Sequence, residues 1–310
     1  MTLAPAHPAQ PNAVGSGPAA NPANPDTLAE LLAREAEHFD RHYADEAAAG
    51  VAPLSAADRV RYTAPPARTI YPREDYHRRL ASTAAPGPAK RILEIACGNG
   101  IDASILAHNG AEVYAYDLSS ESVELTLRRA QVNGVSDRVH ATQASDLDRA
   151  FPEEEPFDHV VGYAALHHLP DMLALAHQAA QRVKPGGSVV FTEPVVNSRL
   201  LLGLRNLVPL RIDPATDDEV PLTEPDVRRF AQAFHDAGGS HATGATAPDA
   251  GPARGYDARY FQIASRIWRF WPDRARLCAG LHRADAWLQA ACPPAWRLAT
   301  VCVFECRKPG

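Results

Sequence analysis

From Lys90 to Pro194 the chain alternates short apolar or β-branched runs with segments of helical period, and nothing else in the sequence restricts the fold as tightly. The apolar runs predict strands at 91–95, 112–116, 138–142, 157–161 and 187–192, with helices near 101–109, 119–133, 146–150 and 171–182. The strands are apolar nearly throughout, so both of their faces are covered. An α/β fold with a mostly parallel sheet between two helical layers is the expected result. Alternation from Leu298 to Cys306 predicts a late strand, which can enter antiparallel at or near the sheet edge.

The flanks read differently. Residues 1–25 are Ala, Pro, Asn and Gly with little apolar bulk, and are expected to form a disordered tail without the basic start and apolar centre of a signal peptide. Residues 26–89 are expected to form a helical N-terminal cap or lid. A capping box at Thr27-x-x-Glu30 opens a helix running to Gly50, and Tyr62, Arg68 and Tyr71 are candidates to close over a ligand. Residues 90–310 form the main domain, with helical insertions near 197–238 and 256–291. Within these, helices are expected at 197–212, from Thr223 to a stop at Gly238 and Gly239, and at 258–271 and 274–290, with a weak strand and loop at 240–255.

At 310 residues with a formal charge of -6, the chain can bury a full core but carries no net basic field, so nucleic acid is not an expected partner. The greasiest stretch, Leu200 to Leu210, is short and holds Arg205 and Pro209, which excludes a bilayer span. Cysteines 97, 278, 292, 302 and 306 show neither a C-x-x-C pair nor zinc spacing, and reduced cytoplasmic thiols are expected. His38 and His42 lie four apart without surrounding carboxylates, so no metal site is expected there.

The chemistry concentrates in "ILEIACGNGIDASILA", residues 92–107. Gly98-x-Gly100-x-x-Ala103 fits a dinucleotide fingerprint, while Glu94-x-x-x-Gly98-x-Gly100 fits a cofactor without phosphate. Asp117, ending the next strand, suits the ribose of either. Three features favour the second. Glu94 would repel a pyrophosphate but attract an ammonium group. Asp146, after the third strand, offers an acceptor for an adenine amine. "FDHVVGYAALHHLPD" followed by "VKPGGSVVFTEP" then gives strand, loop, helix, glycine turn and strand in order.

With those motifs in sequence, residues 90–194 resemble the class I S-adenosylmethionine-dependent methyltransferases. The resemblance implies a Rossmann-like fold with a seven-stranded, mostly parallel sheet and S-adenosyl-L-methionine as cofactor. It further implies that Glu94 and the loop of Ala96, Cys97, Gly98 and Gly100 hold the methionine end. Asp117 would accept the ribose hydroxyls, Leu118 pack on the adenine, Asp146 and the Leu147 backbone N–H pair with the base, and the Ala164 backbone touch the methionine moiety. Ala96 stands where the family usually has glycine. Alanine is the smallest replacement and the position need not take a positive φ, so binding should survive. Cys97 reads as a small packed hydrophobe.

On the acceptor side, His167, His168 and Glu193 follow the fourth and fifth strands, on the rim where open α/β sheets bind ligands. Adjacent histidines cannot both face one pocket, so His167 is assigned to the acceptor and His168 to packing. Glu193 either meets the acceptor or ends its strand in hydrogen bonds. The segment from Glu193-Pro194 to Asp218-Glu219-Val220-Pro221-Leu222 resembles a bacterial subgroup acting on small hydrophobic metabolites. Leucines at 200–204 and Trp268, Trp271 and Trp287 suit an apolar roof and equally a plain core. The expected function is methylation of a small acceptor at O, N or C in a bacterial biosynthetic pathway. A nicotinamide-dependent oxidoreductase and a non-catalytic nucleoside-binding module are the alternatives. The first helix and the Trp-rich helices could supply a homo-oligomer interface.

Overall fold

The computed structural model describes residues 25–57, 59, 71–80, 88–198, 221–238, 256–265 and 275–310. The expected tail through residue 24, the helix at 197–212, the strand and loop at 240–255, Tyr62, Arg68, Trp268 and Trp271 lie outside these residues, as does the side chain of Tyr71.

Among the elements whose bounds are described, α1 (Pro25–Ala49) and α2 (Tyr71–Arg79) precede the sheet. The alternating region follows as β1 (Arg91–Ile95), α3 (Ile101–His108), β2 (Glu112–Asp117), α4 (Ser120–Val132), β3 (Val139–Gln143), β4 (Phe157–Tyr163), α5 (Met172–Arg182) and β5 (Val183–Pro194). Then come α6 (Glu224–Ala237), β6 (Tyr256–Phe261), α7 (Ala275–Ala291) and β7 (Val301–Arg307). All seven strands join one sheet in the order β3-β2-β1-β4-β5-β7-β6. The first five are parallel, β7 runs antiparallel to β5, and β6 antiparallel to β7. The seven-stranded α/β expectation holds, including the antiparallel late strand.

Capping explains several helix starts. Ser119 accepts a hydrogen bond from Ser122 N (3.0 Å) at α4, and Asp171 accepts from Leu173 N and Ala174 N at α5. Asp226 reaches back to Thr223 N (2.9 Å) at α6. Each sheet face has its own core. On one, Phe191, Phe230 and Phe304 meet with ring centroids 5.4–5.8 Å apart beneath α5 and α6. On the other, Val113, Val161, Val190 and Val303 pack under α2, α3 and α4, with Tyr76 fully buried. Among the described residues no helix is long and apolar enough to cross a membrane.

Two expected helices are corrected. Residues 146–150 form turns, closed by Arg149 N donating to Asp146 Oδ1 at 3.0 Å; the segment is too short to repay helix nucleation. The helix expected at 258–271 is replaced at its start by β6. Tyr-Asp-Ala-Arg-Tyr-Phe has a period of two and pairs with β7 from Tyr256↔Cys306 to Phe261↔Val301, while residues 266–271 lie outside the described set.

The strand order reverses between β1 and β4, and in such sheets the crevice at the carboxyl ends of the strands is the ligand site. The β1–α3 loop enters it with Gly100 at φ +72°, where an added Cβ would stand 2.5 Å from Thr126 Cα on α4. Backbone strain and a backbone clash therefore coincide. Gly100→Ala is expected to cost about 2–4 kcal/mol of stability, read as a drop in the urea midpoint at unchanged slope.

Candidate active site

Four strand ends build the crevice. Glu94 lies next to last in β1 and is 3% exposed, with Oε2 buried and lacking a hydrogen-bond partner among the described residues. Burial, reinforced by Asp102 and opposed by Arg73, pushes its carboxyl well above the usual range. Asp117 ends β2, where Oδ2 accepts from Gly98 N and Oδ1 from Ser119 N, both at 2.9 Å. Burial raises its pKa against those hydrogen bonds. Gly98, at φ +51°, leaves room for the Tyr43 hydroxyl, which would lie 2.7 Å from an added Cβ.

Asp102, in the first turn of α3, is the third carboxylate. Burial works against its charge, but Arg73 and His77 outweigh burial and hold its pKa below the ordinary value. Arg73 Nη2 donates to Asp102 Oδ2 at 2.6 Å, and His77 Nε2 lies 2.9 Å from Oδ1. The Arg73 guanidinium also covers the Tyr163 ring at 4.0 Å, linking α2 to the end of β4.

Ala96 does take the left-handed conformation. It adopts φ +53°, the conformation that glycine would supply at that position, and Ala164, after β4, has φ +56°. Both loop mouths at the switch point thus hold a non-glycine residue in left-handed geometry. The other expected cofactor residues are placed as follows. Cys97 is buried, its Sγ accepts from Thr126 Oγ1 at 3.3 Å, and burial pushes its thiol pKa up, which suits packing. Leu118 is half-buried beside Asp117. Asp146 is half-buried and turned toward its own loop, bonding Arg149 N and Ser145 Oγ. The Leu147 side chain is buried in the core, and Ala164 N donates to Thr192 O at 2.7 Å.

Glu193, ending β5 with no exposed surface, accepts from Ala165 N (2.9 Å) and Leu166 N (2.8 Å) on Oε1, while Oε2 lies 2.8 Å from His167 Nδ1. Both of its oxygens are engaged, and one of them holds His167. A carboxylate in that position takes the Nδ1 proton as its third hydrogen bond, which leaves the lone pair on Nε2. His168 packs as expected, against Phe39 (centroids 5.2 Å apart), with Nδ1 2.8 Å from Glu35 Oε1.

Sequence reasoning missed the residues that α1 and α2 contribute. Along one face of α1, Glu35 and Phe39 meet His168, Asp40 Oδ1 accepts from Ser119 Oγ (2.6 Å), Tyr43 covers Gly98, and Glu46 accepts from Asn99 Nδ2 (3.1 Å) and pairs with Arg129. Arg129 Nε in turn donates to Asn99 O at 2.7 Å. The only signal was the period of α1. Nothing local marks which of its polar residues turn inward.

The donor set fits a nucleoside carrying a cation. An unpartnered buried carboxylate oxygen, a glycine-lined loop and a second carboxylate one strand over share a single mouth, with no described basic cluster for a diphosphate. Comparison with known proteins agrees. Residues 67–238, more than half of the chain, match a family described as a methyltransferase domain, and the chain belongs to that family. It is 35% identical over 114 residues to a ubiquinone biosynthesis O-methyltransferase from Thiobacillus denitrificans, covering 37% of this chain and 48% of the relative. A Salmonella arizonae protein of the same name is 33% identical over 103 residues, covering 33% and 42%. The chain spans about half the length of the curated relatives it matches. A solved structure from Galdieria sulphuraria, provisionally a sarcosine dimethylglycine methyltransferase, shares the fold at TM-score 0.50 and 15% identity, covering 88% of this chain and 98% of that one.

Two substitutions test the crevice. Ala96→Gly relieves a left-handed alanine and is expected to leave stability unchanged or raise it by up to about 1 kcal/mol, in contrast to Gly100→Ala. Glu94 has a folded pKa above its unfolded value, so ionisation is neutral to the fold at low pH and increasingly destabilising as pH climbs from the unfolded toward the folded pKa. Glu94→Gln should therefore raise the melting temperature of the free protein at pH 8 by more than at pH 4. An equal change at both pH values would contradict the buried, perturbed carboxyl.

Proposed function

We propose that the chain is an S-adenosyl-L-methionine-dependent methyltransferase that acts on a small acceptor and uses His167 as its base. The observation that carries this is the shared mouth of Glu94, the Gly98 loop, Asp117 and the His167–Glu193 pair at the β1/β4 switch point. Glu94 and the Ala96–Gly100 loop would hold the amino-acid end, Asp117 the ribose, and Leu118, Asp146 and Leu147 the base, with Ala164 at the methionine moiety. The bound cofactor supplies an electrophilic methyl on a sulfonium. The protein's share is alignment, water exclusion and removal of the acceptor's proton.

His167 performs the last of these. With Nδ1–H held by Glu193, Nε2 takes the proton of an acceptor hydroxyl, and the buried carboxylate steadies the imidazolium that results. A base of this kind favours O-methylation, as do the names of the relatives. A bacterial biosynthetic setting and a small, apolar acceptor fit the same reading, and so does a cytoplasmic location, given the buried free thiols of Cys97, Cys302 and Cys306. In the domain organisation that follows, residues 26–89 form the cap, α1 is the lid over the cofactor, and 90–310 form the catalytic domain.

Calorimetry with S-adenosylhomocysteine and a labelled-methyl screen over phenols, amines and carboxylates test the proposal. Asp117→Ala should weaken nucleoside affinity at least tenfold, because it removes a charge-assisted acceptor. Glu193→Gln would present an N–H to Nδ1 and so place a proton on Nε2. The expected result is a loss of about 10²–10⁴ in kcat at unchanged nucleoside affinity, with His167→Ala losing the acid limb of the pH profile. Nucleoside binding without turnover across the whole screen would leave the chain a binding module.

A further inference from the structure

Residues 262–300 join β6 to β7, two antiparallel neighbours that a short hairpin would suffice to connect. This connection instead carries α7 and a 3₁₀ turn at Pro293–Leu298, and together with β6 they line an open cavity of about 590 Å³. That is the size of a small-molecule site, and its walls lie beyond the family match, which ends at residue 238.

Register places the cavity on the active rim. Phe261 pairs with Val301, and Val301 with Pro194, the residue after Glu193. From the end of β4, where His167 follows, to β6 is three strand intervals, or about 14 Å.

The chemistry of the walls selects the occupant. Tyr260 and Trp296 meet at a tilt with centroids 4.8 Å apart, and Phe261, Ala286 and Pro293 add apolar surface. The polar groups are engaged elsewhere. Asp285 accepts from the backbone N–H groups of Ile263, Ala264 and Ser265 and from Ser265 Oγ (2.5 Å), while Gln289 Nε2 donates to Tyr260 O. Arg259 reaches Asp75 at 3.2 Å. Burial, opposed by Asp285, lowers the pKa of His282. Among the described walls the carboxylate is taken up by backbone and the cation, Arg259, is half exposed and shared with Asp75, so a charged ligand would gain little for the hydration it loses.

We infer that this cavity receives the neutral, apolar or aromatic far end of an extended acceptor whose reacting group sits at His167. The inference rests on the methyltransferase reading for the near end only; occupancy of the cavity is measured separately. The probes are 4-octylphenol, long enough to span both places, and phenol, which is not. Each is titrated calorimetrically into the full chain, with S-adenosylhomocysteine titrated on its own. Wild type should bind 4-octylphenol at least tenfold more tightly than phenol. Trp296→Ala should lose that advantage, and so should Ala286→Trp, which fills the cavity from an exposed helical position and does not threaten the fold. Phenol affinity and the melting temperature of Ala286→Trp should not change. Equal affinity for the two probes in wild type, or 4-octylphenol binding Ala286→Trp as tightly as wild type, would overturn the inference. Failure of wild type to bind S-adenosylhomocysteine would instead sink the methyltransferase reading and leave the cavity result standing.

Discussion

Three carboxylates, Glu94, Asp102 and Asp117, are buried at one end of the sheet, and the surrounding architecture is arranged around their charge. Ionised groups in such surroundings are costly unless paired or hydrogen-bonded. Asp102 is met by Arg73 and His77, and Asp117 by backbone N–H groups. Glu94 is left with one oxygen unpartnered and its pKa driven upward. A ligand bearing an ammonium group relieves this tension, so part of its binding energy is stored in the free protein as an unfavourable carboxyl. The same accounting gives α2 its place. Without Arg73 and His77, Asp102 would add a second uncompensated charge, which ties the helical cap to the crevice by electrostatics as well as by packing.

The rim beyond that cluster is organised by a single helix. From Glu35 to Glu46 α1 advances about 16 Å along its axis, and over that length one face touches His168, Ser119, Gly98 and, through Glu46, both Asn99 and Arg129. The acceptor side and the cofactor loop therefore share one rigid cover. Glu193 does the corresponding work from below, fixing the backbone after β4 and the His167 ring with one carboxylate.

What could be read in the sequence divides along contact range. Glu94, Gly98, Gly100 and Asp117 belong to a strand–loop–helix–strand unit whose spacing is local, and the structure brings them together as the motif implies. The contacts of α1 and α2 close over long separations, as from Glu46 to Arg129 or Arg73 to Asp102, and no periodicity reports which polar residues of an amphipathic helix turn inward. The β6 error has a different cause. Tyr256–Phe261 has a period of two, but the residues after it alternate as a helix does, and a window spanning both averages to the helical reading. The conformation of Ala96 was open for a third reason. An alanine there need not take a positive φ, and the closed loop holds it at φ +53° all the same.

The antiparallel placement of β7 explains how structure beside the crevice arises outside the β/α alternation. β6 runs in the same direction as β5 and so ends at the active rim, while β7 starts there and runs back. Whatever joins them must therefore sit beside the crevice. Had β7 been parallel to β5, the connection from β6 would have had to return to the far edge of the sheet, away from His167. A long β6–β7 connection is consequently free to vary in length and shape without touching Glu94, Asp117 or the glycine loop. On the proposed reading it lies beside the acceptor, apart from the residues assigned to the nucleoside.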